Sequence, residues 1–338
     1  MIIPILNGLL RFRCAPVTWL LFFLNAAVFL GGMIPTVNSQ SVINEYLDDP
    51  GFLRLQGRLF SQFVQQNRME YSPLVLQLAQ KAEQGDPEKL RLMGTLAVRN
   101  SEFMSRGPKL EFRGDQVEIK RWREKVANLR LSQDRHPSYV LGLTADEVGL
   151  SHWLSYIFVH SGPYHFIGNM YFLLIFGSML EPIIGGLALM VVFLLSGMVG
   201  AGTFLLLSGA TAAPLIGASG SISGLMALFC IFFWRRPVRY IYFLLPSVHY
   251  TGLIFLPAWV VLLMFGLSDL AGYWSAVNEF GGVAYTAHLG GEVAALLIGS
   301  IVYLLRFRRT GLAVPEGPDV PVGTPISVAE LVTTLKAS

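Results

Sequence analysis

Six long apolar segments constrain the fold of this chain more than any other feature of its sequence. Each has about 18 or more residues with few or no charges, which is the length an α-helix needs to cross a bilayer. Only 14% of the residues are charged and the mean hydropathy is +0.53, and both values lie far from those of soluble proteins. The sequence therefore predicts an all-α polytopic membrane protein with a bundle of six transmembrane helices. The segments are 17–35, 164–184, 186–207, 215–234, 251–268 and 283–305.

Arginine clusters flank this predicted bundle on one side only. With six spans, the three clusters and both termini fall on the same side, which the positive-inside rule assigns to the cytoplasm. This orientation explains the net charge of +3 better than a nucleic-acid surface does, so nucleic acid is not an expected partner. Because the N-terminus does not resemble a transit peptide, a bacterial inner membrane is the expected compartment. The clusters are Arg11 and Arg13; Arg235, Arg236 and Arg239; and Arg306, Arg308 and Arg309.

The charge distribution divides the chain into regions with different solvents. Residues 40–150 carry 16 Lys or Arg and 15 Asp or Glu, whereas residues 151–305 carry seven charged side chains. The first apolar segment could also be read as a signal peptide, with a cleavage site near residues 37–39. With that segment retained as a span, the predicted regions are a cytoplasmic N-terminus and first span (1–36), an outer extramembrane module (37–147), a membrane core with spans two to six (148–307) and a disordered cytoplasmic tail (308–338).

Local signals predict that the extramembrane module is mainly helical. Ser72-Pro73 and Asp86-Pro87 each combine a capping side chain with a proline in the first turn, as helix starts do. Apolar residues also recur there at helical spacing. They are Leu74, Leu78 and Ala82, and then Ile119, Trp122, Val126 and Leu129.

A serine lies between glycines at the start of the fourth predicted span. Ser219 would occupy the first turn, where the helix dipole and free backbone N–H groups favour developing negative charge. Gly217 and Gly220 leave space around its hydroxyl. These features predict a nucleophile, although short G-x-S-G strings also occur where membrane helices simply pack closely.

Two histidines and an asparagine lie at a matching depth, near the outer ends of spans two and six. A neutral His288 can take a proton from a serine hydroxyl and return it to the leaving amine. His165 and Asn169 project from one face of the second span, and both can donate hydrogen bonds to an oxyanion. Each of the three could instead make a structural hydrogen bond to a neighbouring helix or loop.

Three segments together resemble the signature motifs of rhomboid proteases, in that family's order and on the same spans. They are residues 158–169 (FVHSGPYHFIGN), 217–224 (GASGSISG) and 287–291 (AHLGG). The resemblance covers residues 140–305 and rests on the joint occurrence of the three motifs. It implies a six-helix rhomboid-like bundle that hydrolyses peptide bonds inside a membrane.

The resemblance also implies a role for each residue of the site. Ser219 and His288 would form a catalytic dyad without an aspartate, and His165, Asn169 and the Ser219 N–H would form the oxyanion hole. The implied supporting residues are His160, associated with active-site water and loop structure, the glycines Gly217, Gly220 and Gly291, and a structural Glu181.

Three departures from the family pattern accompany the resemblance. Ser223 occupies the position where relatives usually carry an aromatic ring that stacks on the catalytic imidazole, so His288 must be oriented by another group. Trp122-Arg123 lies too far upstream to be the tryptophan–arginine pair of the first outer loop. Glu292, inside the sixth span, could tune His288 or pair with a polar neighbour.

The expected function is that of an intramembrane serine endopeptidase whose partners are transmembrane protein substrates and the lipid bilayer. No cofactor is expected, and His136, His152 and His249 lack neighbours at metal-ligand spacing, so no metal is expected either. Two alternatives remain open at this stage. One is a non-catalytic rhomboid relative that binds membrane clients, and the other is a transporter in which His160, His165, Glu292 and His288 line a proton path.

Overall fold

The computed structural model describes residues 2–4, 15–144, 149–208, 213–234, 237–243, 251–276 and 284–303. The arginine clusters at 11–13, 235–236 and 306–309, His249 and the tail at 308–338 lie outside these ranges. The helices are α1 (Pro16–Leu47), α2 (Pro50–Gln66), α3 (Pro73–Glu83), α4 (Pro87–Arg99), α5 (Ser101–Arg106), α6 (Gln116–Gln133), α7 (Pro137–Val140), α8 (His152–Ser155), α9 (Pro163–Ile184), α10 (Gly186–Ser208), α11 (Ser219–Phe233), α12 (Trp259–Ala276) and α13 (Tyr285–Tyr303). The strands are β1 (Ile2–Pro4), β2 (Pro237–Phe243) and β3 (Thr251–Pro257).

Helix α1 connects the two parts of the chain. Its 32 residues give a length of about 48 Å, whereas the hydrocarbon core of a bilayer is only about 30 Å thick. Leu21 lies in the hydrophobic core of the bundle and Ile43 lies in a second core, that of the module. The helix runs unbroken through residues 37–39, where the signal-peptide interpretation puts a cleavage site. The predicted first span therefore continues as one helix into the module.

The module consists of α2 to α7, as the helical signals predicted. Both predicted helix starts are confirmed. Ser72 Oγ accepts a hydrogen bond from the Val75 N–H, and Asp86 accepts from the Glu88 and Lys89 N–H groups. Each cap satisfies N–H groups that have no partner inside the helix.

Aromatic side chains form the centre of the module. Phe60, Phe63, Phe103 and Trp122 are all buried, and the Trp122 indole donates a 3.2 Å hydrogen bond to Gln56 Oε1. Burial of this apolar area is the dominant stabilising contribution for a helical module of this kind. Trp122 is thus a core residue of the module and takes no part in the membrane bundle.

The module ends in a short segment that contacts the bundle. His136 is the N-cap residue of α7. Its Nδ1 accepts a hydrogen bond from the Ser138 N–H, and burial lowers the pKa of its imidazole. Beyond α7, Leu143 forms a two-residue antiparallel bridge with Leu215, with N–O distances of 3.0 and 2.8 Å. The module is therefore hydrogen-bonded to the segment that leads into α11.

A helix lies in each of the six predicted membrane segments. Three of these helices, α1, α9 and residues Gly186–Leu207 of α10, are long and apolar enough to cross a membrane by length and composition. Helix α11 and residues Trp259–Trp274 of α12 are apolar but shorter. The arrangement confirms the prediction of an all-α membrane bundle.

The boundaries of the fifth segment were predicted incorrectly. Residues 251–257 form β3, which pairs with β2 along Pro237↔Pro257 to Phe243↔Thr251, and β1 adds a third antiparallel strand. The helix begins only at Trp259. A short apolar run does not distinguish a strand from a buried helix, and Pro257 inside a helix would cost about 3 kcal/mol. The helix therefore starts after the proline.

Glu181 anchors α1 against α9. Its carboxylate, only 4% exposed, accepts hydrogen bonds from the Val17 N–H at 2.8 Å, the Thr18 N–H at 2.7 Å and the Thr18 hydroxyl at 2.7 Å. An acidic group at a helix N-terminus is favoured by the helix dipole. Glu181 is thus structural, as the resemblance implied.

Candidate active site

Gly217 forms the tight turn that precedes α11. Its φ of +110° lies in the left-handed region that only glycine enters easily. A Cβ atom at this position would lie 2.7 Å from His165 Cε1 and 2.9 Å from His165 Nε2. Both the backbone conformation and the approach of His165 therefore require glycine here.

Two backbone contacts fix the segment that carries Ser219. The Gly217 N–H donates to the Tyr156 carbonyl at 2.8 Å, and Leu215 pairs with Leu143 as described. Ser219 is the first residue of α11, so its N–H and those of the next residues have no partner inside the helix. The turn therefore presents backbone donors next to the serine hydroxyl.

Helices α11 and α13 meet at glycines on the two helices. A Cβ at Gly220 would come within 3.2 Å of the Ala287 carbonyl oxygen, and a Cβ at Gly291 would collide with the carbonyl oxygen of Gly220. Ser219 and His288 directly adjoin these contact residues. The structure thus brings the two predicted dyad residues to the same level of the bundle. The hydrogen bond found at the His288 ring goes to Asp269, and in unbound enzymes the bond between nucleophile and base is often long or poorly aligned.

The predicted oxyanion-hole residues face the same turn. Ser161 donates to His165 Nδ1 from its backbone N–H at 3.4 Å and contacts the same nitrogen through its hydroxyl at 3.1 Å. Because Nδ1 accepts, the ring proton belongs on Nε2, which is the nitrogen that approaches Gly217. The Asn169 amide donates to the His165 carbonyl at 3.1 Å, and its nitrogen lies 3.7 Å from the Cβ position of Gly217.

His160 lies beside this pair without joining it by a hydrogen bond in the described part of the chain. Its ring is 5.1 Å from the His165 ring and 5.5 Å from that of Phe166, perpendicular to the latter. Its Nδ1 lies 3.3 Å from the Phe158 carbonyl. His160 therefore packs against the oxyanion-hole side and supports it sterically.

The length of α11 sets the depth of the site. Its 15 residues span about 22 Å, roughly 8 Å less than the hydrocarbon core of a bilayer. If the other end of α11 reaches one membrane interface, Ser219 lies below the opposite one. On that placement, the candidate site would lie within the membrane thickness.

Residues 148–305 match the family model described as the Rhomboid domain. These residues form a rhomboid domain. The match covers every residue of the predicted site and the five helices α9 to α13, and with these apolar helices it identifies an integral membrane protein. No curated protein matches the chain at a significant level.

In this rhomboid domain, an aspartate contacts the predicted base. His288 Nδ1 lies 3.0 Å from Asp269 Oδ1, and the two side chains are only 14% and 10% exposed. The resemblance implied a dyad without an aspartate, and the predicted fifth span ended one residue before Asp269. The signal that could have identified it is its charge, because an acidic residue within a membrane segment suggests a function.

A second buried carboxyl group lies at the interface between α12 and α13. Glu292 is 6% exposed, and its Oε1 atom has no hydrogen-bond partner among the described residues. Its Oε2 atom lies 3.4 Å from the Cβ position of Gly266.

Ser223 occupies the position where relatives usually carry an aromatic ring. It is also buried, and no ring stacks on His288 from that position.

Two further histidines in the described ranges, His152 and His136, have structural contacts. His152 Nε2 lies 3.2 Å from the Val140 carbonyl, and His136 caps α7. In the described ranges, no three His, Cys, Asp or Glu side chains are grouped to hold a metal ion.

Proposed function

We propose that this rhomboid is an intramembrane serine endopeptidase that cleaves transmembrane proteins in or next to their membrane helices. The observation that carries the proposal is the convergence of Ser219, His288 and His165 at the N-terminus of the short helix α11. His165 Cε1 lies 2.7 Å from the Cβ position of Gly217, and the carbonyl of Ala287, the residue before His288, lies 3.2 Å from the Cβ position of Gly220. Three polar groups meeting in an apolar bundle are costly unless they serve a function.

The first half of the reaction forms an acyl-enzyme. Ser219 Oγ attacks the carbonyl carbon of the scissile peptide bond while His288 Nε2 takes the hydroxyl proton. The tetrahedral intermediate then collapses, the C–N bond breaks, and His288 returns the proton to the leaving amine.

The second half uses water in place of the amine. His288 takes a proton from water, the hydroxide attacks the ester carbonyl, and the Ser219 oxygen leaves with the proton that His288 carries. The products are a carboxylate and the regenerated enzyme, so no redox step and no cofactor is involved.

The oxyanion would be stabilised by donors around Gly217. The candidates are the Ser219 N–H, His165 Nε2 and the Asn169 amide nitrogen. A donor of this kind contributes about 3 kcal/mol to acyl transfer. Asn169 donates to the His165 carbonyl in the resting structure, so it would turn toward the oxyanion as the intermediate forms.

Substrate choice follows from the depth of the site. A transmembrane helix hides its carbonyl groups in internal hydrogen bonds, so the scissile segment must unwind before Ser219 can reach it. Small or helix-breaking residues near the scissile bond would ease that unwinding.

The proposed setting is a bacterial inner membrane with both termini in the cytoplasm and the site near the outer face. Residues 37–147 would then lie outside, next to the entrance of the site. Retention of the first span is favoured by Glu181, whose buried carboxylate would lose all three donors if α1 were removed as a signal peptide.

The test is labelling of the purified protein with a fluorophosphonate, together with cleavage of a model transmembrane substrate. The parent should label and cleave, and Ser219→Ala and His288→Ala should do neither. Ser221→Ala is the matched control, because this serine lies two residues away with a buried hydroxyl that lacks a hydrogen-bond partner in the described residues.

The same experiment separates the alternatives. A client-binding relative would bind the substrate without cleaving it or reacting with the probe. A transporter would carry protons in the Ser219→Ala variant as well as in the parent. Cleavage that survives Ser219→Ala would exclude the proposed mechanism.

A further inference from the structure

The orientation of His288 requires an explanation that the family pattern does not supply. An imidazole base must hold its Nε2 toward the nucleophile, and a free ring can rotate and change tautomer. Ser223 has no ring to stack on it. The nearby aromatic ring of Tyr285 is perpendicular to the imidazole at 6.5 Å between centroids, so it borders the ring without stacking on it.

The Asp269 carboxylate is the group that contacts the imidazole. The 3.0 Å contact joins two helices, α12 and α13, through side chains 19 residues apart in sequence. An isolated carboxylate inside a bilayer is costly, and pairing is the usual reason for its presence. Asp269 therefore has a partner whose chemistry it can control.

The contact determines the position of the ring proton. An ionised carboxylate can only accept, so the hydrogen between the two groups belongs to Nδ1. Nε2 is then left unprotonated, and that is the atom that must take the Ser219 proton. Soluble serine proteases orient their histidine through the same relation.

The neighbouring residues of α12 hold this geometry in place. Three residues beyond Asp269, a Cβ at Gly272 would collide with the Tyr285 ring, so Gly272 allows α12 to approach the start of α13. Three residues before Asp269, Gly266 faces Glu292. The Asp269 side of α12 thus lies directly against the His288 side of α13.

We propose that Asp269 is a positioning residue that extends the expected dyad to a Ser219–His288–Asp269 triad, with one residue on each of three helices. The inference rests on the proposed protease function for its catalytic consequence. The hydrogen bond itself, and the tautomer it fixes, are independent of activity.

The kinetic test compares Asp269→Ala, Asp269→Asn and Asp269→Glu with the parent in detergent micelles. For Asp269→Ala and Asp269→Asn we expect kcat to fall by roughly 10²- to 10⁴-fold with KM changed by less than about twofold. Asp269→Glu, which keeps the carboxylate, should recover part of the lost activity. Melting temperatures measured on the same samples identify any variant that fails to fold.

Two controls separate positioning from general disturbance. Glu292→Gln removes the other buried carboxyl group of the same interface, and Ser268→Ala changes an exposed neighbour on α12. Both should keep kcat close to that of the parent. If Glu292→Gln lowers kcat as much as Asp269→Asn, the specific role of Asp269 is wrong.

A spectroscopic measurement decides the contact without using activity. In ¹⁵N-histidine-labelled protein, the His288 signals can be assigned by their loss in His288→Ala. The parent should carry its proton on Nδ1, and Asp269→Ala should remove this preference. An unchanged tautomer in Asp269→Ala, or a kcat within about threefold of the parent, would overturn the inference. A parent that shows the Nδ1 proton but never cleaves or labels would instead refute the protease function.

Discussion

Replacement of Gly217 by alanine should damage the proposed oxyanion hole while leaving the proposed dyad in place. The added Cβ would lie 2.7 Å from His165 Cε1, and ordinary contacts begin at 3.4 Å. His165 must therefore move by about 0.7 Å. The alanine must also adopt a φ of +110°, a strain of about 1–3 kcal/mol.

The displacement can be converted into an expected loss of rate. A misplacement of about 1 Å in a catalytic site costs roughly 10²-fold in rate, and removal of one oxyanion donor costs about 10²- to 10³-fold. Gly217→Ala should therefore lower kcat by about 10²-fold. The melting temperature should fall as well, because the strain affects the folded state alone.

The assay is cleavage of a model transmembrane substrate, with the melting temperature measured on the same sample. Gly168→Ala is the matched control, because this helical glycine adjoins Asn169 and has open space around its Cβ position. A double-mutant cycle with His165→Ala isolates the collision. Since the alanine at 165 removes the colliding ring, the two losses should be much less than additive. Full activity of Gly217→Ala, or strict additivity, would refute the reasoning.

Three further predictions concern the parts that hold the site. Glu181→Gln should lower the free energy of unfolding by roughly 2–4 kcal/mol, because the amide replaces one hydrogen-bond acceptor with a donor. The measurement is the melting temperature, and an unchanged melting temperature would contradict the prediction. Leu143→Pro should reduce cleavage more than Leu143→Ala does, because only proline removes the N–H that donates to the Leu215 carbonyl. Equal cleavage rates for the two variants would show that this hydrogen bond does not support the site. His136 has a lowered pKa in the folded state, so its protonation favours unfolding. The stability of the module, measured by hydrogen exchange, should fall as the pH drops below about 6.5. His136→Asn should weaken this pH dependence, and a stability that rises as the pH drops would contradict the prediction.

Local patterns were enough to predict most of the helices and to select the residues of the candidate site. The capping residues of α3 and α4 were correct, since a cap depends only on its own few neighbours. Ser219 was predicted from its position between glycines, and His288 from an imidazole within an apolar segment. Their convergence required only that the spans alternate in direction, so it could be argued from topology.

The errors arose where a local pattern has two physical solutions. Residues 251–257 are apolar enough for a membrane helix, but their pairing with β2 supplies the same backbone hydrogen bonds, and Pro257 then ends the strand. The fifth helix begins and ends eight residues later than predicted. Asp269 therefore lies inside this helix, whereas the prediction put it one residue beyond the end. A small boundary error thus hid a residue of the site.

The sequence by itself determined that the chain is a helical membrane protein and that a glycine-flanked serine begins one of its spans, and it predicted that imidazoles lie at the same depth. These properties follow from hydropathy and helical periodicity, which are local. Only the tertiary structure decided that Asp269 contacts His288 and that the module is hydrogen-bonded to Leu215. Both contacts depend on the close approach of separate segments, which a one-dimensional pattern does not record. The identity of the group that contacts the predicted catalytic imidazole is therefore a property of helix packing.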